Sequence, residues 1–258
     1  MNLALRNKKA IVCGSTQGIG KAIAEGLAKQ GVSLTLIARN ESVLADVVGS
    51  LDRSLGQAHD YLCVDFSKDN FSEKLDGLSE TYDILVNNTG GPAAGPITDA
   101  DPIDFEGAFK MHLINNQILV KKVVEGMKRN SFGRIINIIS TSVKAPIQGL
   151  GVSNTIRAAV ANWAKTLSLE LGGYGITVNN VLPGFTNTNR LKSLIKKKAE
   201  IQGKPISEIE LQMKKSVPLN RFGEAREVAN AVVFLSSPAA SYINGINFPV
   251  DGGRTASL

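Results

Sequence analysis

Cysteines and long hydrophobic runs are scarce in this sequence, and their scarcity excludes several classes of protein. Only two cysteines occur among 258 residues. Cys13 and Cys63 both fall in segments predicted to be strands, so we interpret them as reduced core residues. No uninterrupted apolar run reaches the roughly 18 residues of a membrane-spanning helix, and the N-terminal segment lacks the apolar core of a signal peptide. We therefore expect a cytoplasmic protein with no membrane partner.

Aromatic residues are also few, at 5% of the chain, and none lies within the most lysine-rich segment. The net charge is +6, and much of the excess comes from Lys192, Lys196, Lys197, Lys198, Lys204, Lys214 and Lys215. Proteins that bind single-stranded nucleic acid combine basic grooves with stacking aromatic side chains, so we expect no nucleic-acid partner. We interpret these lysines as a solvated helical face or, alternatively, as a docking surface for an acidic carrier or a phosphorylated cofactor.

Strand-like and helix-like segments alternate along the whole sequence. The predicted strands are Ala10–Cys13, Ser33–Ala38, Tyr61–Val64, Ile84–Val86, Arg134–Ile139, Thr177–Leu182 and Ile246–Val250. Their aliphatic content without polar alternation is typical of strands buried on both faces. The predicted helices are Gly18–Lys29, Glu41–Leu55, Phe71–Thr81, Pro102–Lys128, Leu150–Leu171 and Ala225–Leu235. This order predicts a Rossmann-type α/β fold, a doubly wound parallel sheet with helices on both faces, in a single domain over residues 1–258.

The segment over residues 186–217 departs from this alternation. It is rich in Lys, Glu and Gln, and Gly203 and Pro205 divide it into two short helical patterns. An insertion after a late strand of such a sheet lies near the crevice where ligands bind. We interpret it as a mobile lid over a substrate, with a static surface excursion as the alternative.

A glycine-rich turn joins the first predicted strand to the first predicted helix. Glycine permits positive φ angles and lets the backbone approach a phosphate closely, and the N–H groups at the start of a helix attract an anion. The turn therefore predicts a site for the pyrophosphate of a dinucleotide. The candidate cofactor-binding residues here are Gly14, Ser15, Gln17, Gly18, Ile19 and Gly20.

The end of the second predicted strand indicates which dinucleotide is bound. NAD-dependent proteins usually place an acidic residue there to accept from the ribose 2′-hydroxyl. This sequence has Arg39 followed by Asn40, and a guanidinium at that point pairs well with a 2′-phosphate. We therefore predict NADP(H) as the cofactor, whereas the alternative is that Arg39 only faces solvent.

Two further strand ends carry polar residues toward the same crevice. Asp65 follows the third strand, and Asn87, Asn88, Thr89 and Gly90 follow the fourth. Because the carboxyl ends of parallel strands meet at one edge of the sheet, we expect Asp65 to accept from the adenine amino group. We expect the run that includes Asn87, Thr89 and Gly90 to hold its backbone against the adenosine ribose.

These motifs together resemble the short-chain dehydrogenase/reductase family. The resemblance is carried by the glycine-rich turn, Asp65, Asn87–Gly90, Asn137, Pro183-Gly184 and Asp251-Gly252-Gly253. It covers almost the whole chain and is nearest to the bacterial 3-oxoacyl-[acyl-carrier-protein] reductases. It implies NAD(P)(H), a small-molecule or acyl-thioester substrate, possible use of acyl carrier protein, and often a homotetramer. It also places Pro183, Gly184 and Thr188 at the cofactor, with no metal.

The catalytic motif of that family is incomplete here. The family uses a Tyr as proton donor, a Lys four positions later, a Ser, and an Asn on a long helix. Ser140 matches the serine, whereas Ser153 occupies the Tyr position, Arg157 the Lys position and His112 the Asn position. No Tyr-x-x-x-Lys occurs elsewhere in the sequence. A serine hydroxyl is a far weaker acid than a phenol with pKa about 10, and a positioned acid contributes about 10²–10⁴ in rate.

Two interpretations of function follow from this incomplete motif. The first is an atypical NADP(H)-dependent oxidoreductase that acts on a carbonyl or alcohol, with His112 relaying or donating a proton near neutral pH. Lys144 is a second candidate donor, and Arg157 retains a charge that can hold the nicotinamide ribose. The alternative is a catalytically impaired NADP(H)-binding pseudoenzyme that acts as a sensor or a partner subunit.

Overall fold

Seven strands and nine helices alternate along the described part of the chain. The computed structural model describes residues 3–78 and 81–257. The strands are β1 (Lys9–Cys13), β2 (Ser33–Ala38), β3 (His59–Cys63), β4 (Ile84–Asn87), β5 (Gly133–Ile138), β6 (Ile176–Pro183) and β7 (Asn247–Val250). The helices are α1 (Gly18–Ala28), α2 (Glu41–Ser50), α3 (Phe71–Lys74), α4 (Pro102–Phe109), α5 (Asn115–Arg129), α6 (Gly151–Leu171), α7 (Asn189–Gln202), α8 (Ile206–Lys215) and α9 (Ala225–Leu235).

The seven strands form one parallel sheet in the order β3-β2-β1-β4-β5-β6-β7. The chain winds outward from β1 to β3, then crosses back so that β4 pairs with the other side of β1. This reversal places a crevice at the carboxyl ends of β1 and β4, where ligands bind in open parallel sheets. The predicted doubly wound Rossmann-type fold is therefore confirmed.

A hydrophobic layer covers each face of the sheet. On one face α1, α2 and α9 pack through residues such as Leu27, Leu44 and Val232, and on the other α5 and α6 pack through residues such as Leu119 and Ala164. None of the helices in the described ranges is long and apolar enough to cross a membrane. Cys13 is fully buried in the sheet, and burial raises the pKa of its thiol, in keeping with a core residue.

Three predicted helices differ from the structure. The predicted helix Pro102–Lys128 is divided by one turn of π-helix, Lys110–Ile114, between α4 and α5. Helix α2 ends at Ser50 because the Arg53 guanidinium caps its carbonyls, donating to Val48 O at 2.8 Å. Helix α3 ends at Lys74 and a single 3₁₀ turn follows it, while part of the predicted segment lies outside the described residues.

Candidate active site

A cavity of about 730 Å³ opens at the carboxyl ends of the central strands. It brings together most of the residues that the sequence predicts for cofactor and catalysis. Those that line it are Gly14, Gln17, Gly18, Ile19, Gly20, Arg39, Asp65, Thr89, Gly90, Ser140, Ser153, Arg157, Pro183, Gly184 and Thr188. The cavity therefore joins the predicted phosphate-binding turn to the predicted catalytic residues.

The glycine-rich turn between β1 and α1 is packed too closely for side chains. Gly14 and Gly18 have φ angles of +57° and +54°, the left-handed region that favours glycine. A Cβ on Gly20 would lie 2.1 Å from the carbonyl oxygen of Gly14, and a Cβ on Gly14 would lie 2.4 Å from that of Asn88. Asn88 fixes the turn, since its Nδ2 donates to the carbonyls of Cys13 and Gly14 at 3.2 and 3.1 Å. This bare backbone at the start of α1 fits a pyrophosphate.

Arg39 and Asp65 lie at the neighbouring ends of β2 and β3. Arg39 is exposed and forms no ion pair within residues 3–78 and 81–257. Asp65 accepts from the backbone N–H and the hydroxyl of Ser67 at 2.9 and 2.8 Å. Those hydrogen bonds, with a smaller contribution from Arg39, hold the pKa of Asp65 below its usual value. This end of the cavity thus offers an unpaired guanidinium beside an ionised carboxylate.

Four asparagines form a hydrogen-bonded ladder across the sheet behind the cavity. The side-chain amide of Asn87 donates to Asn137 at 2.8 Å, Asn137 donates to Asn180 at 2.9 Å, and Asn180 donates to Asn247 at 2.9 Å. The four residues are aligned in register on β4, β5, β6 and β7. The ladder pairs buried amide groups across four strands, although Asn87 Oδ1 has no partner among the described residues. Asn87 lies in this ladder rather than in the cavity wall.

The predicted catalytic residues approach the cavity from β5 and α6. Ser140 follows β5, and its Oγ accepts from the backbone N–H of Ser142 at 3.1 Å. Ser153 and Arg157 lie one helical turn apart at the start of α6 and also line the cavity. Arg157 is 8% exposed, and its Nη1 donates to the carbonyl of Ile138 at 3.0 Å. Burial, with a smaller contribution from Arg190, lowers the pKa of Arg157 to about 10, so its guanidinium is charged at neutral pH.

His112 sits in the π-helical turn, one layer behind the cavity wall. It is 1% exposed, its Nδ1 lies 2.6 Å from Oγ1 of Thr89, and its Nε2 has no hydrogen-bond partner in the described part of the chain. Burial, with a smaller contribution from Arg157, lowers its pKa to about 2. The ring is therefore uncharged at neutral pH. That His112 relays or donates a proton stays a prediction.

Other predicted residues lie outside the cavity wall. Ser15 is fully buried beneath the turn, and Asn40 caps α2 instead, because its Oδ1 accepts from the N–H of Val43 at 3.2 Å. Lys144 is half-buried and does not line the cavity either. Sequence reasoning missed two arginines that line the cavity, Arg190 and Arg254. Both follow late strands at distant points in the chain, and no local pattern marks them.

The segment over residues 186–217 forms α7 and α8 beside the cavity. The two helices pack on each other through Leu191, Ile195, Ala199, Ile209 and Met213. Three polar contacts join α7 to the rest of the protein: Asn189 Nδ2 donates to Gln17 Oε1 at 3.3 Å, Arg190 Nη2 to Pro92 O at 2.7 Å, and Lys197 Nζ to Ala94 O at 2.7 Å. This segment therefore covers the cavity from the side of β6.

Comparison with known proteins agrees with this geometry. The sequence model of a family described as Enoyl-(Acyl carrier protein) reductase matches residues 14–255. The NADPH-dependent reductase BacG of Bacillus subtilis (strain 168) is 31% identical, and the alignment covers 98% of this chain and 100% of BacG. The chain belongs to the short-chain dehydrogenase/reductase family.

Further members of the family are similar to this chain in sequence and in structure. The 3-oxoacyl-[acyl-carrier-protein] reductase FabG of Aquifex aeolicus (strain VF5) is 32% identical, with 98% of this chain and 99% of FabG aligned. The crystal structure of L-sorbose reductase from Gluconobacter frateurii, complexed with NADPH and L-sorbose, superposes with a TM-score of 0.91. It is 30% identical and the alignment covers both chains completely. The family resemblance inferred from the sequence is thereby confirmed.

Proposed function

We propose that this protein is an NADP(H)-dependent oxidoreductase that reduces a carbonyl compound or oxidises the corresponding alcohol. One observation carries the proposal: a single cavity connects the bare glycine-rich turn and Arg39 with Ser140, Ser153 and Arg157. The names of two relatives, BacG and the sorbose reductase complex, also specify NADPH. The NADP(H) prediction made from Arg39 is in agreement with those names.

The residues present fit the cofactor at both ends. The turn from Gly14 to Gly20 would hold the pyrophosphate, and Arg39 would pair with the 2′-phosphate. Pro183, Gly184 and Thr188 would border the nicotinamide. When bound, NADPH supplies a hydride to the carbonyl carbon and becomes NADP⁺ as the carbonyl oxygen takes up a proton.

The chain's own residues act on the substrate oxygen. The hydroxyl of Ser140 orients the carbonyl, and the guanidinium of Arg157 stabilises negative charge that develops on its oxygen. A buried charge acts strongly there because water screens it little. Since Ser153 replaces the family Tyr, the proton reaches the oxygen from solvent in the open cavity. We expect slower turnover than in relatives that possess the Tyr.

The finer features of function are proposals by resemblance to FabG. A 3-oxoacyl thioester carried by an acyl carrier protein is the substrate class that this resemblance favours, in a cytoplasmic homotetramer. The segment over residues 186–217 would act as a lid, since it lies beside the cavity, which Leu191 and Leu194 of α7 line, and Arg190 and Lys197 of α7 join it to the carbonyls of Pro92 and Ala94. The exposed lysines Lys192, Lys196 and Lys198 on the same helix suit an acidic partner.

The proposed function is tested by following deuteride from 4-deuterated NADPH into a panel of ketones, oxo acids and 3-oxoacyl thioesters. We expect label in the alcohol and a loss of about 10-fold or more for Ser140→Ala. The surface variant Ser241→Ala serves as the matched control. The native protein could instead bind NADPH tightly and transfer no label, while the Ser153→Tyr/Arg157→Lys double variant turns over. That result would establish the pseudoenzyme.

A further inference from the structure

Two arginines meet in the cavity. Arg157 approaches from α6 and Arg190 from the first turn of α7. A Cβ placed on Gly91 would lie 3.8 Å from Nη2 of both side chains. The two guanidinium groups therefore border the same small volume, which is open because residue 91 has no side chain.

Neither guanidinium is neutralised by the protein. Within residues 3–78 and 81–257, no carboxylate forms an ion pair with Arg157 or Arg190. Each donates one hydrogen bond to a backbone carbonyl, Ile138 O and Pro92 O respectively. An arginine has five N–H donors, so most of the donor capacity at this point is unused.

Like charges held together in a partly desolvated pocket favour an anion between them. Arg157 is almost completely buried and Arg190 is exposed, so one charge is poorly screened while the other lies at the cavity mouth. The positive charge of Arg190 also lowers the pKa of Arg157, which reflects their electrostatic contact. A ligand that supplies one negative charge relieves this repulsion and fills the unused donors.

The cofactor phosphates have their own places in the cavity. The pyrophosphate fits the turn at α1, and Arg39 at the end of β2 faces the 2′-phosphate. Arg157 instead bonds the carbonyl of Ile138 at the end of β5, and Arg190 reaches the segment after β4, where it bonds the carbonyl of Pro92. Planar guanidinium groups match the geometry of a carboxylate, which can accept several parallel hydrogen bonds.

We infer that the substrate is an oxo acid, or its hydroxy acid, whose carboxylate binds between Arg157 and Arg190 across Gly91. This inference rests on the proposed function and narrows it. A 3-oxoacyl thioester has no free carboxylate near its carbonyl, so the arginine pair favours free oxo acids over carrier-bound thioesters. The carboxylate anchors the substrate while its carbonyl reaches Ser140.

The test compares ligands that differ only in the carboxylate. Binding of 2-oxopentanoate and 4-oxopentanoate, each against its methyl ester, is measured by calorimetry on the full chain saturated with NADP⁺, which cannot reduce them. We expect at least one acid to bind about 10-fold or more tightly than its ester. Arg190→Gln should abolish that preference, and Arg190→Lys should retain part of it. The exposed Arg129 at the end of α5 provides the matched control, since Arg129→Gln makes the same change outside the cavity.

The outcomes separate this inference from the function on which it rests. If NADP⁺ and NADPH do not bind, the proposed function is refuted. If they bind but acids and esters have equal affinity, or if the preference survives in Arg190→Gln, only the carboxylate site is overturned. The affinity of Arg190→Gln for NADP⁺ is measured separately. If it falls, this guanidinium binds the cofactor phosphates, and the carboxylate site is overturned as well. Because Arg190 is exposed, its variants should fold normally.

Discussion

Replacing Arg39 should change cofactor preference far more than overall nucleotide affinity. Arg39 lies at the end of β2, lines the cavity and has no ion-pair partner among the described residues. Its guanidinium is therefore free to bond the 2′-phosphate, a group that NADPH has and NADH lacks. Arg39→Gln preserves much of the side-chain length and hydrogen-bonding capacity but removes the charge.

The magnitude follows from the exposure of the site. A hydrogen bond to a charged group contributes about 1.5–3 kcal/mol. Since Arg39 is exposed and screened by solvent, we take the lower part of this range, about 1.5–2 kcal/mol, which corresponds to about 10–30-fold in affinity. NADPH should lose this factor in Arg39→Gln, whereas NADH should change by less than about 3-fold. The carboxylate in Arg39→Asp should shift preference further toward NADH.

Fluorescence titration of the pure protein with each nucleotide measures the effect. Arg129→Gln, an exposed arginine at the end of α5, makes the same charge change far from the cavity and serves as control. NADPH affinity of the native protein should also fall more steeply with added salt than NADH affinity. Equal losses for both nucleotides, or no loss for either, would refute the assignment of Arg39 to the 2′-phosphate.

Three further predictions concern stability and the phosphate-binding turn. Asn137→Leu removes the acceptor of Asn87 Nδ2 and the donor to Asn180 Oδ1 and should lower the free energy of unfolding by about 2–5 kcal/mol in urea titrations. Asn247→Leu, at the half-exposed end, removes only the acceptor of Asn180 Nδ2 and should cost about half as much, and equal costs would contradict a continuous ladder. His112 has a folded pKa of about 2 against about 6.5 unfolded, so the unfolded chain takes up its proton first and stability falls as pH drops below about 6.5. The loss of unfolding free energy reaches about 2 kcal/mol at pH 5 and should disappear in His112→Asn. If the free energy of unfolding depends on pH identically in the native protein and the variant, this prediction is refuted. Gly20→Ala forces a Cβ to within 2.1 Å of a carbonyl oxygen and should abolish NADPH binding in the same titration, whereas Gly49→Ala, with no atom within 4 Å, should leave binding intact.

Sequence patterns predicted the sheet and the place of the glycine-rich turn and Arg39 at the cavity, because both depend on local chemistry. Strand β2 and helix α9 match their predicted bounds, whereas α2 ends early at Ser50, α3 ends early at Lys74 and a π-helical turn separates α4 from α5. The glycine-rich turn and Arg39 were predictable because each follows a strand whose carboxyl end must face the crevice. Backbone conformation and strand order carry this information, and both are encoded in short segments of sequence.

The catalytic half was less predictable because burial decides its chemistry. His112 looked like a proton donor from its place in the chain, yet the π-helical turn puts its ring against Thr89 in an environment that keeps it neutral. Asn40 was predicted to bind the cofactor, and its side chain also caps α2. Neither feature is predictable from sequence, since a sequence position does not specify the direction of a side chain or its access to water.

The sequence by itself determined the family, the doubly wound fold, the cofactor class and the absence of the usual Tyr-x-x-x-Lys motif. Only the tertiary structure placed Arg190 beside Arg157, residues 33 positions apart in the sequence, on the two sides of Gly91. Only the sheet register aligned four asparagines from four strands into one ladder. The physical reason is the same in both cases: local propensities are short-range, whereas the charge balance of a pocket depends on which distant side chains the packed sheet and helices bring together.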